Sequence, residues 1–148
     1  MKKIKIIEVT AVLNRGGAET FLVNVLENID KGRFSVDFLC YGKENFDYEE
    51  HVKDLGSTVY RIDIPSKIGM KNHLQQLIRF FKQNHYDVVH CHNLFNCGPV
   101  MLAAFLCGVK IRISHSHTTK HLDDNKISLK KYIYYFLAKI LLNLFSTH

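Results

Sequence analysis

Apolar runs and amphipathic runs alternate along this chain. Residues 4–9, 34–41, 58–64, 86–91 and 109–114 are rich in β-branched and aromatic side chains. The first of them is nearly continuous in apolar character, as a strand covered on both faces is. Between these runs, apolar residues recur at helical spacing. In residues 18–29 they are Phe21, Leu22, Val25, Leu26 and Ile29, and in residues 71–84 they are Leu74, Leu77, Ile78 and Phe81. Such a stripe is the buried side of an amphipathic helix. Residues 45–55 read as a more polar helix closed by Gly56. Pro99 suits the first turn of a helix that runs to Cys107 and stops at Gly108. Ser128 caps a last helix that reaches Phe145. Residues 66–70, 92–98 and 115–125 read as loops.

Strand then helix, five times over, predicts an α/β fold: a doubly wound, Rossmann-like parallel sheet with right-handed crossovers. Residues 1–148 form one domain, with no repeat or linker. In such a sheet ligands bind outside the carboxyl ends of the strands. Chemistry is therefore sought in the residues just after each strand.

Composition and charge narrow the partners. Hydrophobic residues make up 47% of the chain, as in a packed globular domain, and the formal net charge is +6. A positive balance favours anionic partners such as phosphorylated ligands or an acidic membrane face, and it equally fits a basic soluble protein. The aromatic residues lie inside apolar runs and do not interleave with Lys or Arg, which argues against nucleic acid. Cys40, Cys91, Cys97 and Cys107 show no CxxC pairing, so free thiols in a reducing cytoplasm are expected. Lys2, Lys3 and Lys5 precede only a short apolar run without a small-residue cleavage site, so no secretory leader is expected. No stretch reaches the ~18 uninterrupted apolar residues of a membrane span.

Three strand ends carry candidate chemistry. After the first comes Asn14-Arg15-Gly16-Gly17-Ala18-Glu19. Glycines at a helix mouth let a ligand approach the backbone closely, and the helix dipole favours a phosphate there. The spacing is neither GxGxxG nor GxxxxGK[ST], so a tight turn is the competing reading. Glu19, in the first helical turn, complements the dipole. After the fourth strand comes His90-Cys91-His92-Asn93, where period-two alternation puts both histidines on one side. After the fifth comes His115-Ser116-His117-Thr118-Thr119. Four histidines at the carboxyl edge point to a functional cleft. They also admit a zinc reading, which lacks a nearby carboxylate ligand because Asp123 and Asp124 lie well along a loop.

The last helix, residues 132–145, is apolar almost all round, broken by Lys139 and Asn143, with Lys126, Lys130 and Lys131 before it. It reads as a buried packing helix, or as an interfacial element whose basic entry meets acidic lipid.

Taken together, residues 14–19, the run Tyr86-Asp87-Val88-Val89-His90-Cys91-His92-Asn93, and Gly108-Val109 leading to Ser114-His115-Ser116-His117-Thr118 carry a resemblance. The chain resembles the N-terminal lobe of the retaining, two-lobed (GT-B) glycosyltransferases of family four, and most of all the bacterial members that build capsular or extracellular polysaccharide. The resemblance implies transfer of a sugar from a nucleotide-sugar to a glycan or lipid-linked acceptor, often at the cytoplasmic membrane face, with no metal or other cofactor required. It places Gly16 and Gly17 by the donor diphosphate, and His117, or else His115, by the transferred sugar. Asn14, Arg15, Glu19, His90, His92, Asn93 and Thr118 fall to the acceptor cleft. In this family a second lobe carries most nucleotide contacts. That lobe is not among these residues, so a lone lobe with little or no activity is expected. A non-catalytic docking module and a histidine-ligated metal hydrolase are the alternatives.

Overall fold

A computed structural model describes residues 2–42, 44–116 and 128–148. Its strands are β1 (Ile4–Thr10), β2 (Phe34–Tyr41), β3 (Val59–Ile62), β4 (Val88–Cys91) and β5 (Ile111–Ser114). They form one sheet in the order β3-β2-β1-β4-β5, and every neighbouring pair is parallel. The expected doubly wound arrangement is the one observed. Its order reverses beside β1, so the crevice of such a sheet opens where β1 and β4 end.

Alternation along the strands sorts the core into two layers. Val36, Phe38 and Cys40 of β2 pack with Leu22, Val23 and Leu26 of α1 (Gly17–Asn28) and Val52 of α2 (Glu49–Asp54). Ile7 and Val9 of β1 and Val89 and Cys91 of β4 face the opposite layer. There they meet Leu77, Phe80 and Phe81 of α4 (Met70–Gln83) and Val100, Met101 and Ala104 of α5 (Cys97–Leu106). Gly56 and Gly108 close α2 and α5 at φ of +93° and +79°, a conformation glycine adopts without strain.

Several expected bounds shift for local reasons. Residues 66–70, expected as a loop, hold a short helix α3 (Pro65–Ile68), with Pro65 at a position that needs no N–H. The helix expected over 45–55 shrinks to Glu49–Asp54, because Phe46 is buried and Asp47 is tied to the loop after β1. The loop expected over 92–98 contains a 3-10 turn (Leu94–Asn96), and α5 begins at Cys97.

The last helix, α6 (Leu129–Phe145), corrects the packing-helix reading. Ala138 is buried at 2% exposure, but Leu129, Ile133, Phe136, Leu137, Ile140 and Leu144 stand exposed. The helix lies against α5 through a close crossing: a Cβ on Gly98 would sit 2.5 Å from the Ala138 carbonyl oxygen. Tyr134 adds a hydrogen bond to Asn96, and Phe145 packs on Phe105 with ring centroids 5.0 Å apart. Beyond the helix, the chain returns to the sheet edge, where the N–H groups of Ser114 and Thr147 donate to the carbonyls of His148 and Arg112.

Candidate functional site at the carboxyl edge of β1, β4 and β5

Glu8 is the residue around which this edge is built. It lies on β1 in register with His90 of β4, and parallel register places the two side chains on one face. The Glu8 carboxylate accepts hydrogen bonds from His92 Nε2 at 2.9 Å and from His90 Nδ1 at 3.3 Å to one oxygen and 3.1 Å to the other. His115 completes the group: its ring stacks on that of His90, with centroids 5.5 Å apart and 9° between planes. One nitrogen from each of His90, His92 and His115 lies within 4.8 Å of the other two. The backbone fixes the rings, because His92 N–H donates to the Val9 carbonyl and His115 N–H to the Cys91 carbonyl. Both bonds continue the parallel ladders past the strand ends.

The electrostatics follow from burial. Glu8 is buried, and desolvation raises a carboxylate pKa. Hydrogen bonds and charge from His90 and His92 outweigh that and hold the carboxyl below its ordinary range. The carboxylate is thus charged at neutral pH, and the His92 side chain beside it is only 1% exposed. A buried charge paired in this way can orient imidazoles and pass a proton between them. The outer members of the group are less covered, with His90 at 19% side-chain exposure.

The glycine loop lies at the end of β1. Gly16 caps α1 at φ −129° and ψ 168°, an extended conformation that any residue adopts, and Gly17 opens the helix. Neither glycine is therefore required by a turn. A Cβ on Gly17 would meet nothing within 4 Å, whereas one on Gly16 would collide with the Glu19 carboxylate. Close approach is thus open at Gly17, and an acid stands beside it. Asn14 and Arg15 are exposed and clasp the loop before α2: Arg15 N–H donates to Asp47 and Asp47 N–H donates to Asn14.

A groove runs along the same edge of the domain. A cavity of about 350 Å³ lies among Ile64, Pro65, Ser66, Met70, Asn96 and Tyr134. A second, of about 270 Å³, shares Ile64, Pro65 and Asn96 and extends past Tyr41, Phe46 and Asn93 to the end of β1. Asn93 thus reaches the groove, and its N–H donates to Cys97 Sγ at 3.2 Å. Hydrogen bonding from Cys91 and Asn93 lowers the Cys97 thiol pKa against its burial, while Cys91 itself is pushed up by burial. All four cysteines are free thiols.

Of the residues expected at the site, His90, His92 and His115 come together, Gly16, Gly17 and Glu19 form a separate mouth, and Asn93 lines the groove. His117 and Thr118 lie outside the described residues. Sequence reasoning missed Glu8, which it absorbed into an apolar strand. One acid flanked by Ile6, Ile7 and Val9 in a strand buried on both faces is the signal that marks it. It also missed Asn96, Tyr41 and Tyr134, whose convergence depends on where α6 crosses α5.

A Rossmann-like sheet with imidazoles, a glycine mouth and a groove at its carboxyl edge has the arrangement of α/β domains whose ligands sit outside the strand ends. Residues 15–147 match Glycosyltransferase Family 4, and the chain belongs to that family. It is 36% identical over 119 residues to EpsF of Bacillus subtilis (strain 168), named as a glycosyltransferase, covering 78% of this chain and 30% of the relative. It is 29% identical over 146 residues to the capsular polysaccharide biosynthesis glycosyltransferase CapH of Staphylococcus aureus, covering 93% of this chain and 40% of the relative. The chain therefore spans well under half the length of both relatives. Among solved structures, MurG of Acinetobacter baumannii superposes with a TM-score of 0.64 at 16% identity, over 99% of this chain and 40% of that one. The lipopolysaccharide outer core galactosyltransferase WaaB gives a TM-score of 0.61 at 19% identity, over 88% of this chain and 37% of that one. These last two likenesses concern the fold.

Proposed function

We propose that this chain supplies the acceptor-side wall of a glycosyltransferase that moves a sugar from a nucleotide-sugar to a glycan or lipid-linked acceptor in surface polysaccharide biosynthesis. The observation that carries the reading is the presence, at one sheet edge, of both an open helix mouth at Gly17 and a Glu8–His90–His92 network joined by His115. The helix mouth takes the donor diphosphate through backbone N–H groups and the helix dipole. A histidine after β5, His117 or His115, stands by the transferred sugar. His90, His92 and the Asn93 groove receive the acceptor. Preorganised donors of this kind stabilise the charge that develops on a departing diphosphate.

One wall does not enclose a donor. The reading therefore requires a second, nucleotide-binding lobe, in the same polypeptide or from a partner, and assigns these residues little turnover by themselves. The reaction is placed at the cytoplasmic face of the membrane, where lipid-linked acceptors are presented. The test incubates the chain with nucleotide-sugars and a lipid-linked glycan acceptor, with and without the second lobe of a relative. Sugar transfer only in the complemented mixture is expected. Efficient transfer by the chain alone would remove the requirement for a second lobe, and none in either mixture would remove the transferase reading.

A further inference from the structure

The imidazole cluster has a chemistry that sugar transfer does not use. We propose that His90, His92 and His115 form a binding site for one divalent ion of the zinc class, with Glu8 as the carboxylate that orients two of the ligands. Among the described residues no other three histidine, cysteine or acidic side chains converge in this way. The donor set selects the ion: imidazole suits zinc, cobalt, nickel and copper, whereas magnesium and calcium take oxygen.

The geometry is close to what such an ion needs. Zinc–nitrogen bonds of about 2.0–2.1 Å put ligand nitrogens roughly 3.4 Å apart in a tetrahedral site. The three nitrogens already lie within 4.8 Å of one another, and side-chain rotation closes the remainder while the sheet holds the backbone. A metal-bound histidine characteristically gives its other ring N–H to a carboxylate, which fixes the tautomer. Glu8 is the carboxylate in contact with both His90 and His92, and so it holds the two rings in place for the ion. Its charge also offsets that of the ion. Three protein ligands leave a fourth position for water or a substrate oxygen. The site stands whether or not the transferase reading does, because it concerns ion binding and no turnover.

The test titrates the metal-free full chain with Zn²⁺ by calorimetry and with Co²⁺ by visible absorption. One ion per chain is expected, with the intense bands of four- or five-coordinate cobalt. His115→Ala and His90→Gln each weaken zinc binding at least tenfold. Glu8→Gln keeps all three imidazoles and weakens it by about 10–100-fold. His85→Ala, exposed at the amino end of β4, leaves it unchanged. Because a cleft variant can lose its fold, histidine ring resonances of the unmodified chain provide an independent readout: those of His90, His92 and His115 shift on adding zinc. Binding that survives the His90 and His115 substitutions, that does not saturate at one ion, or that leaves the three rings unshifted overturns the site.

Discussion

Glu8 and His73 show how burial acts in opposite directions on two ionisable side chains. Glu8 keeps its charge because two imidazoles answer it. His73 of α4 is fully buried and stacked on Tyr41, with one ring nitrogen hydrogen-bonded to the Asp63 carbonyl at 3.0 Å. Desolvation dominates there and pushes its pKa below 6.5, against that hydrogen bond. In the unfolded chain the same histidine titrates near 6.5, so below that pH the unfolded state binds more protons than the folded one. Stability is therefore expected to fall as pH drops from about 7 towards 5. His73→Met should flatten that slope while lowering stability at neutral pH through the lost hydrogen bond, and denaturant unfolding at a series of pH values measures both. Gly17 gives a second contrast at this scale. It is helical and has open space, so Gly17→Ala is expected to stabilise the fold by about 0.5–1 kcal/mol. If the mouth takes a diphosphate, the added methyl weakens donor binding at the same time. Unfolding curves and donor titration of the complemented enzyme separate the two, and unchanged donor affinity would remove the diphosphate role of this mouth.

At the scale of elements, regular patterns were legible and crossings were not. The bounds of β2, Phe34–Tyr41, coincide with the apolar run because alternate residues fill two different core layers. Gly56 and Gly108 could be placed because a helix end demands a left-handed residue. His90 and His92 could be set on one side from alternation alone. Their common partner Glu8, 82 and 84 residues away, could not, since pairing it requires the β1–β4 register. Likewise Gly98 looked like an ordinary loop glycine before Pro99. Its meaning comes from α6, whose backbone at Ala138 leaves no room for a methyl group. Gly98→Ala is expected to force the α5–α6 crossing apart at a cost of about 1–3 kcal/mol, lowering the melting temperature. Thermal unfolding checks this, with Gly17→Ala as the opposite-signed control.

For the whole molecule, the departure from the packing-helix expectation matters most. Periodicity reports that α6 is apolar almost all round but cannot report how much of it neighbours cover. Leu144 is 68% exposed and Phe136 57%, and Lys130 and Lys139 are exposed on the same helix of a chain with formal charge +6. An apolar stripe with basic residues beside it is the pattern of a helix lying in a membrane interface, where buried apolar area and attraction to anionic headgroups act together. A transverse orientation is excluded for the described helices, none of which is long and apolar enough to cross a bilayer. On the proposed function, with a lipid-linked acceptor, such a contact would hold the groove near its substrate. The chain is expected to sediment with acidic-lipid vesicles and not with neutral ones, and to be released by salt as surface charges are screened. Phe136→Ser with Leu137→Ser, both at exposed positions, should abolish sedimentation without changing the melting temperature. Equal, negligible binding to both vesicle types would instead mean that the stripe is covered by protein.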